Sequence, residues 1–246
     1  MHEECKYIFD HDVVEAVTLY LPKGIESQRG QGKQKDNNKL FLIEGAELVG
    51  EFDIPKLHPC FTESVPEFVS SFTKAYSQRP IDGGLIYGYE ADDRIERIWH
   101  EPRRYLPFLR RADYFVGPDL SLLIGMPKSM QIYNLYRNHA LAYWYQKNGV
   151  RVVPSACWSD IDSFLWTFCG LPDRGTIAVS MTGAMGNYWS KRAFWRGLHE
   201  MFKWVHPDKV WLFGMHRNAE VETFIATKCD VEFINTNYHE QHGVLL

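Results

Sequence analysis

From residue 52 onward, short runs of β-branched and aromatic residues alternate with longer amphipathic stretches that begin at Pro, Ser, Asp or Thr. The short runs predict strands at FDIP (52–55), GLIYGYE (84–90), YFVG (114–117), VRVVPSA (150–156), TIAVSMT (176–182), KVWLFGM (209–215) and VEFIN (231–235). The stretches around them predict helices at PEFVSSFTKAYS (66–77), PRRYLPFLRR (102–111), MPKSMQIYNLYRNHALAYWYQKNG (126–149), DIDSFLWTFCG (160–170), WSKRAFWRGLHEMFKWVH (189–206) and NAEVETFIATKC (218–229). Strand followed by helix, repeated, is the α/β signature of a (βα) series. Such a series closes into a TIM-barrel-like parallel barrel or opens into a doubly wound sheet. The shortness of the strands, and a helix after nearly every one, favour a barrel of seven or eight strands.

Ahead of this region the pattern is irregular. Residues 1–50 are expected to form an N-terminal extension, and 51–246 a single (βα) domain. Within the extension, GIESQRGQGKQKDNN (24–38) has no large apolar residue after Ile25 and reads as a mobile basic loop.

Composition narrows the class. With 246 residues, 45% hydrophobic and 24% charged, the chain can build a substantial core without disulfides. A net charge of −4 excludes a protein that coats nucleic acid through its overall charge, so any such contact must come from local patches. The five cysteines are scattered, with no CxxC pair, which fits a reducing cytoplasm. No stretch approaches the ~18 apolar residues of a membrane span, and Met1 is followed by His2, Glu3 and Glu4 rather than a basic leader. Neither GxGxxG nor GxxxxGK[ST] follows any strand, so no P-loop or dinucleotide fingerprint is present and the sequence assigns no cofactor.

In either (βα) architecture, ligands sit at the carboxyl ends of the strands, and polar residues there are the candidates for chemistry. The second strand ends in Glu90, Asp92 and Asp93, with Glu96 a turn further; Asp93 is taken as a catalytic carboxylate, against the alternative that this acidic group caps a short helix. The next strand delivers Asp119, the preferred single catalytic or ligand-binding acid, and Ser121, although an Asp after Pro is also a turn former. In the long helix, Gln131, Asn134 and Asn138 share a face with Arg137 beside them, groups suited to a base, a ribose or a phosphate. The competing reading is a solvated outer face. Trp158, Ser180 and Thr182 end the next two strands as substrate-binding candidates, and His216 ends the sixth as a proton carrier. Cys157 is the cysteine to test for reactivity. The C-terminal NYHEQH lacks the HExxH spacing of zinc peptidases, and no metal ligands are assigned.

Several of these strings together are specific: GPDLS (117–121), MPKSMQIYNLYRNHALAYWYQKNGVRVVPSACW (126–158), SFLWTFCGLP (163–172), TIAVSMTGA (176–184) and KVWLFG (209–214). They resemble the domain of unknown function family numbered 4417, found in bacteria, phages and mobile elements. The resemblance spans about residues 84–236 and implies a shared fold and a mobile-element setting. A more distant similarity is to the barrel of tRNA-guanine transglycosylases and the phage enzymes that insert deazaguanine into DNA. It rests on the order Asp92 and Asp93, then Asp119, then Pro154 to Trp158. The chain departs from that pattern where a late strand ends in Asn235 instead of a nucleophilic Asp, and the zinc cysteines are missing.

Two functional expectations follow. One is an enzyme acting on a nucleotide, nucleobase or nucleic acid through Asp93, Asp119 and His216. The other is a non-catalytic protein that binds nucleic acid or a host protein through Arg103, Arg104, Arg110 and Arg111 and the basic residues Lys23, Arg29, Lys33, Lys35 and Lys39. Neither expectation involves a membrane.

Overall fold

Apolar runs too short to make a helix settle here as paired strands. In a computed structural model that describes residues 38–78 and 82–236, four of them, β3 (Val69–Ser71), β4 (Leu85–Tyr87), β5 (Tyr114–Val116) and β6 (Val152–Val153), form a parallel sheet in that order. A second parallel sheet follows with β7 (Ser155–Ala156), β8 (Thr176–Ser180), β9 (Lys209–Gly214) and β10 (Asp230–Asn235). Ahead of both, β1 (Leu48–Val49) and β2 (Ile54–Pro55) make a small antiparallel hairpin. The helices are α1 (Phe72–Ser77), α2 (Asp92–His100), α3 (Pro102–Leu109), α4 (Lys128–Lys147), α5 (Tyr188–Trp204) and α6 (Ala219–Ala226). The chain divides after Gly45, and the described part of the first unit is a 3-10 turn over Leu40–Ile43. All but Asn38 of the segment expected to be a mobile loop lies outside the described residues.

Pro154 separates β6 from β7 because it has no N–H to donate, yet its carbonyl still accepts from the Ala178 amide at 2.8 Å. One extended run, 152–156, therefore pairs with β5 through Val152 and Val153 and with β8 through Ser155 and Ala156. Each strand thus neighbours the next in the chain, all parallel.

The sheets curl. The rings of Tyr87 on β4 and Phe213 on β9 lie 5.5 Å apart, and those of Tyr114 on β5 and Trp211 on β9 lie 5.2 Å apart. In a flat sheet, β4 and β9 would be separated by roughly 19 Å at the usual strand spacing. One buried cluster accordingly takes Val69, Leu85, Tyr87, Tyr114, Val116, Val153, Ala178, Trp211, Phe213 and Ile234, which come from both sheets. On the other face of β8 and β9, α5 and α6 bury Phe194, Leu198, Met201, Val221 and Ile225 against Ile177, Val179, Val210 and Leu212. Among the described residues no backbone ladder joins β10 to β3.

Three expectations are corrected. The run at 52–55 is not the first strand of the parallel series; Asp53 takes φ 51 and Gly50 φ 72, which turns the chain back into the β1–β2 hairpin. That first strand is instead β3, inside the stretch expected to be helical from residue 66. It is only three residues long, so it carries no alternation, and its pairing is fixed by contacts such as the Leu85 amide to the Phe68 carbonyl at 2.8 Å. The stretch 160–170 holds a five-residue 3-10 turn, Ile161–Leu165, rather than an α-helix.

Candidate functional site

Three chain segments leave the sheet side by side at the carboxyl ends of β4, β5 and β7. β4 runs through Gly88 to Tyr89, β5 through a cis Gly117–Pro118 bond to Asp119, and β7 to Cys157. Two glycines let the first two approach. A Cβ on Gly88 would sit 3.3 Å from Pro118 Cα and the Val116 carbonyl, and Gly117 adopts φ 107, open to glycine but strained for other residues.

Asp119 is the centre of the group. The residue as a whole is only partly buried, but its Oδ1 is sealed from solvent and has no hydrogen-bond partner among the described residues. Burial, reinforced by the negative charge of Asp92, pushes the Asp119 carboxyl up to about 7, while hydrogen bonds with Cys157 and Ser155 act the other way. The Tyr89 hydroxyl lies 2.9 Å from Ser155 Oγ, and burial together with Asp119 holds the tyrosine protonated. The same two causes raise the Cys157 thiol well above its ordinary range, which opposes a thiolate nucleophile there. The result is one acid that exchanges its proton near neutrality, ringed by neutral hydroxyl and thiol groups and one carboxylate.

Asp92, the first residue of α2, is fixed by the next loop: its Oδ1 accepts from the Ser121 amide at 3.1 Å and the Ser121 hydroxyl at 2.8 Å. Helix α4 holds that loop from below. Asn138 accepts from the Leu120 amide at 2.8 Å and donates to the Leu120 carbonyl at 3.0 Å; Asn134 donates to the Ser121 carbonyl at 2.8 Å. Gln131 donates to the Met126 carbonyl at 2.8 Å and accepts from Ser159 Oγ at 2.5 Å. Arg137 bonds Asn134 at 2.6 Å and Glu96 at 2.5 Å, with its guanidinium over the Tyr133 ring.

The structure thus brings together only part of the expected set. Asp119 is central and Ser121 supports Asp92. Gln131, Asn134, Arg137 and Asn138 are buried, and most of their polar atoms bond the 120–126 loop or its surroundings. The face is interior because α4 is buried around most of its circumference from Arg137 to Tyr145. Asp93 is exposed on the first turn of α2; its neighbour Asp92 is the acid that faces Asp119. His216 is exposed beyond β9, and Thr182 is exposed beyond β8, where its amide donates to Ser180 Oγ at 3.1 Å. Trp158 packs on Phe194 and Phe168, and a Cβ on Gly197 would come within 2.1 Å of its indole nitrogen. Around Asp119 the fold gathers Asp92 and Cys157, both already singled out in the sequence, together with Ser155 and Tyr89, of which Tyr89 was missed. Strand-end position was the available signal for all four.

Elsewhere, an open hollow of about 540 Å³ between the Ile161–Leu165 turn and α5, lined by Leu165, Trp195 and His199, contains none of this group. Among the described residues no cluster of three or more His, Cys, Asp or Glu could hold a metal ion; NYHEQH (237–242) lies outside them. No helix in the described residues is long and apolar enough to cross a membrane.

A chain of parallel βα units with a partly buried carboxyl among polar groups at its strand ends defines an α/β protein whose polar residues gather where this class places its ligands. Residues 46–231 match the family described as Domain of unknown function (DUF4417), and the chain belongs to it. Similar proteins include the "Gene 1 protein" of Mycobacterium phage L5, 30% identical over 178 residues that make up 71% of this chain and 76% of that protein. The "Gene 1 protein" of Mycobacterium phage D29 is 29% identical over 171 residues, 69% of this chain and 63% of that protein. No solved structure matches the chain.

Proposed function

We propose that this is a phage or mobile-element protein that binds a nucleobase or nucleotide over the carboxyl ends of β4, β5 and β7 and exchanges a proton with it through Asp119. The observation that carries the reading is Asp119 Oδ1, sealed from solvent and without a hydrogen-bond partner among the described residues. An unpaired buried oxygen is costly unless a proton or a ligand occupies it, and a carboxyl near 7 can donate to one ring atom and accept from another. Its immediate partners are neutral apart from Asp92, so the site favours a neutral amide-like edge over a phosphate. The curled run of parallel strands is read here as a TIM-barrel-like scaffold, with the gap between β10 and β3 bridged by side chains. The phage relatives supply the setting.

The rival reading, a basic face, draws less support. Arg104 pairs with Glu101, Arg111 with Asp82, and Arg110 donates to the Asn148 carbonyl, so these guanidiniums already have partners. Calorimetric titration with nucleobases, nucleosides and nucleotides at about pH 6 and about pH 8 tests the proposal. The expected result is binding that changes across that range in the wild type and loses its pH dependence in Asp119→Asn. Absence of binding by the whole panel, or an identical pH profile in the variant, would sink it.

A further inference from the structure

Among the described residues, three of the large apolar side chains left exposed follow the neighbouring strands β8 and β9. Tyr188 and Trp189, 67% and 68% exposed, open α5 after the β8 loop, and Met215, 49% exposed, follows β9. β8 and β9 are hydrogen-bonded neighbours, and their ends approach closely: the Met181 amide donates to the Phe213 carbonyl at 2.8 Å, and a Cβ on Gly214 would meet Met181 Cε at 2.9 Å. The aromatic pair and Met215 therefore occupy adjacent loops at the carboxyl ends. The two rings are 5.1 Å apart at 76°, presenting one face and one edge rather than packing on the core.

Charge beside them is free. Lys191 and Arg192, near the start of α5, are exposed and form no ion pair among the described residues, in contrast to Arg217, which pairs with Glu222 at 3.2 Å. An aromatic pair next to two unneutralised cations combines the two elements that single-stranded nucleic acid requires: ring faces for bases and positive charge for phosphates. An apolar protein partner would leave both cations without a counterpart.

We infer that Tyr188, Trp189, Lys191 and Arg192 form a docking surface for single-stranded DNA. The inference rests on the proposed function, because it makes the base that reaches Asp119 part of a strand rather than a free molecule. β8, whose loop leads into α5, lies two strand positions from β5, and both loops open at the carboxyl ends of the strands. A single strand of DNA supplies all that this surface can use; two of the loop's polar atoms are taken up locally, Ser180 Oγ accepting from the Thr182 amide and Asn187 Oδ1 from the Ser190 amide. Stacking and charge are what the surface offers, and neither reads a 2′-hydroxyl.

Fluorescence anisotropy with a labelled mixed-sequence deoxyoligonucleotide of roughly a dozen nucleotides tests this. Tyr188→Ala and Trp189→Ala each weaken binding by about tenfold or more, and Lys191→Glu with Arg192→Glu weakens it further and flattens its salt dependence. All four positions are on the surface, and circular dichroism confirms that each variant is folded. Duplex of the same sequence binds more weakly than the single strand. The inference is overturned if the ring variants bind like wild type, if duplex binds as well as single strand, or if the matching ribo-oligonucleotide binds better. Its failure is distinguishable from that of the proposed function. Ring variants that leave strand binding intact while Asp119→Asn abolishes the pH dependence of nucleobase binding remove the docking surface alone. Strand binding that depends on the rings, with no response to Asp119→Asn in the nucleobase titrations, removes the proton-exchange reading and leaves the surface standing.

Discussion

Two buried titratable groups set opposite slopes in how stability depends on pH. Asp119 holds its proton up to about 7 in the fold, against about 3.9 for a free side chain. Below about 4 it is protonated in both states; as pH rises through the window the folded state alone keeps the proton, and the stability this confers is lost by the time pH passes 7. His139 runs the other way. Burial lowers it from 6.5 to about 4 while its Nδ1 lies 2.9 Å from the Pro55 carbonyl, so it stays neutral in the fold and takes a proton only when unfolded. Its contribution is present above 6.5 and lost as pH falls toward 4. Each slope is at most ~1.4 kcal/mol per pH unit, and across the shared window they largely cancel. Asp119→Asn should remove one of them. In urea unfolding from about pH 4 to about pH 8, the stability of wild type relative to the variant should decline with rising pH, by a few kcal/mol in all. A difference that does not vary with pH would mean that Asp119 titrates like a free carboxylate.

At the scale of elements, the site is a loop held by a helix. Both amide atoms of Asn138 are used on Leu120, in a buried position. Asn138→Ala should therefore cost about 2–3 kcal/mol, and it should speed hydrogen exchange at the Leu120 amide well before global unfolding. Unchanged exchange there would show that the loop keeps its shape without α4. The amides of this helix stood out in the sequence because Asn is a poor helix former, but the pattern alone could not tell a ligand face from an interior one. The decision comes from tertiary burial of α4 on nearly all sides, which one helix's residues do not encode. Asp119 was legible because strand ends in parallel folds are few and a carboxylate there is conspicuous. Asp92 and Asp93 were not separable, since consecutive positions on a helix point about 100° apart and the phase depends on where the helix starts. Its N-cap, Ala91, carries no side-chain signal. The strands of the βα series from β4 onward were readable, whereas β3, three residues inside a helix-like stretch, has no period to detect.

For the whole molecule, the open question is what holds the first parallel strand against the last. The segment leading into β3 bonds to the starts of three late strands. Thr62 Oγ1 lies 2.7 Å from Thr176 Oγ1, the Val65 amide donates to Glu232 Oε2 at 3.0 Å, and Lys209 Nζ donates to the Glu63 carbonyl and, at 2.9 Å, to Glu232 Oε1. Glu232 is thus shared between β9 and the β3 lead-in, and it stands where a closed barrel would have a backbone ladder. The Lys209 side chain is 17% exposed and that of Glu232 32%, so removing the carboxylate leaves a half-buried ammonium without its counter-charge and the Val65 amide without its acceptor. Glu232→Ala should cost about 1–3 kcal/mol, with amides of β3 and β10 losing protection together while those of β5 and β6 do not. Glu232→Gln, which keeps an acceptor for the Val65 amide but no charge for Lys209, should fall between the two. If β3 and β10 respond independently, the curled sheet is held by its core alone; if they respond as one, side chains complete the circuit that the backbone leaves open.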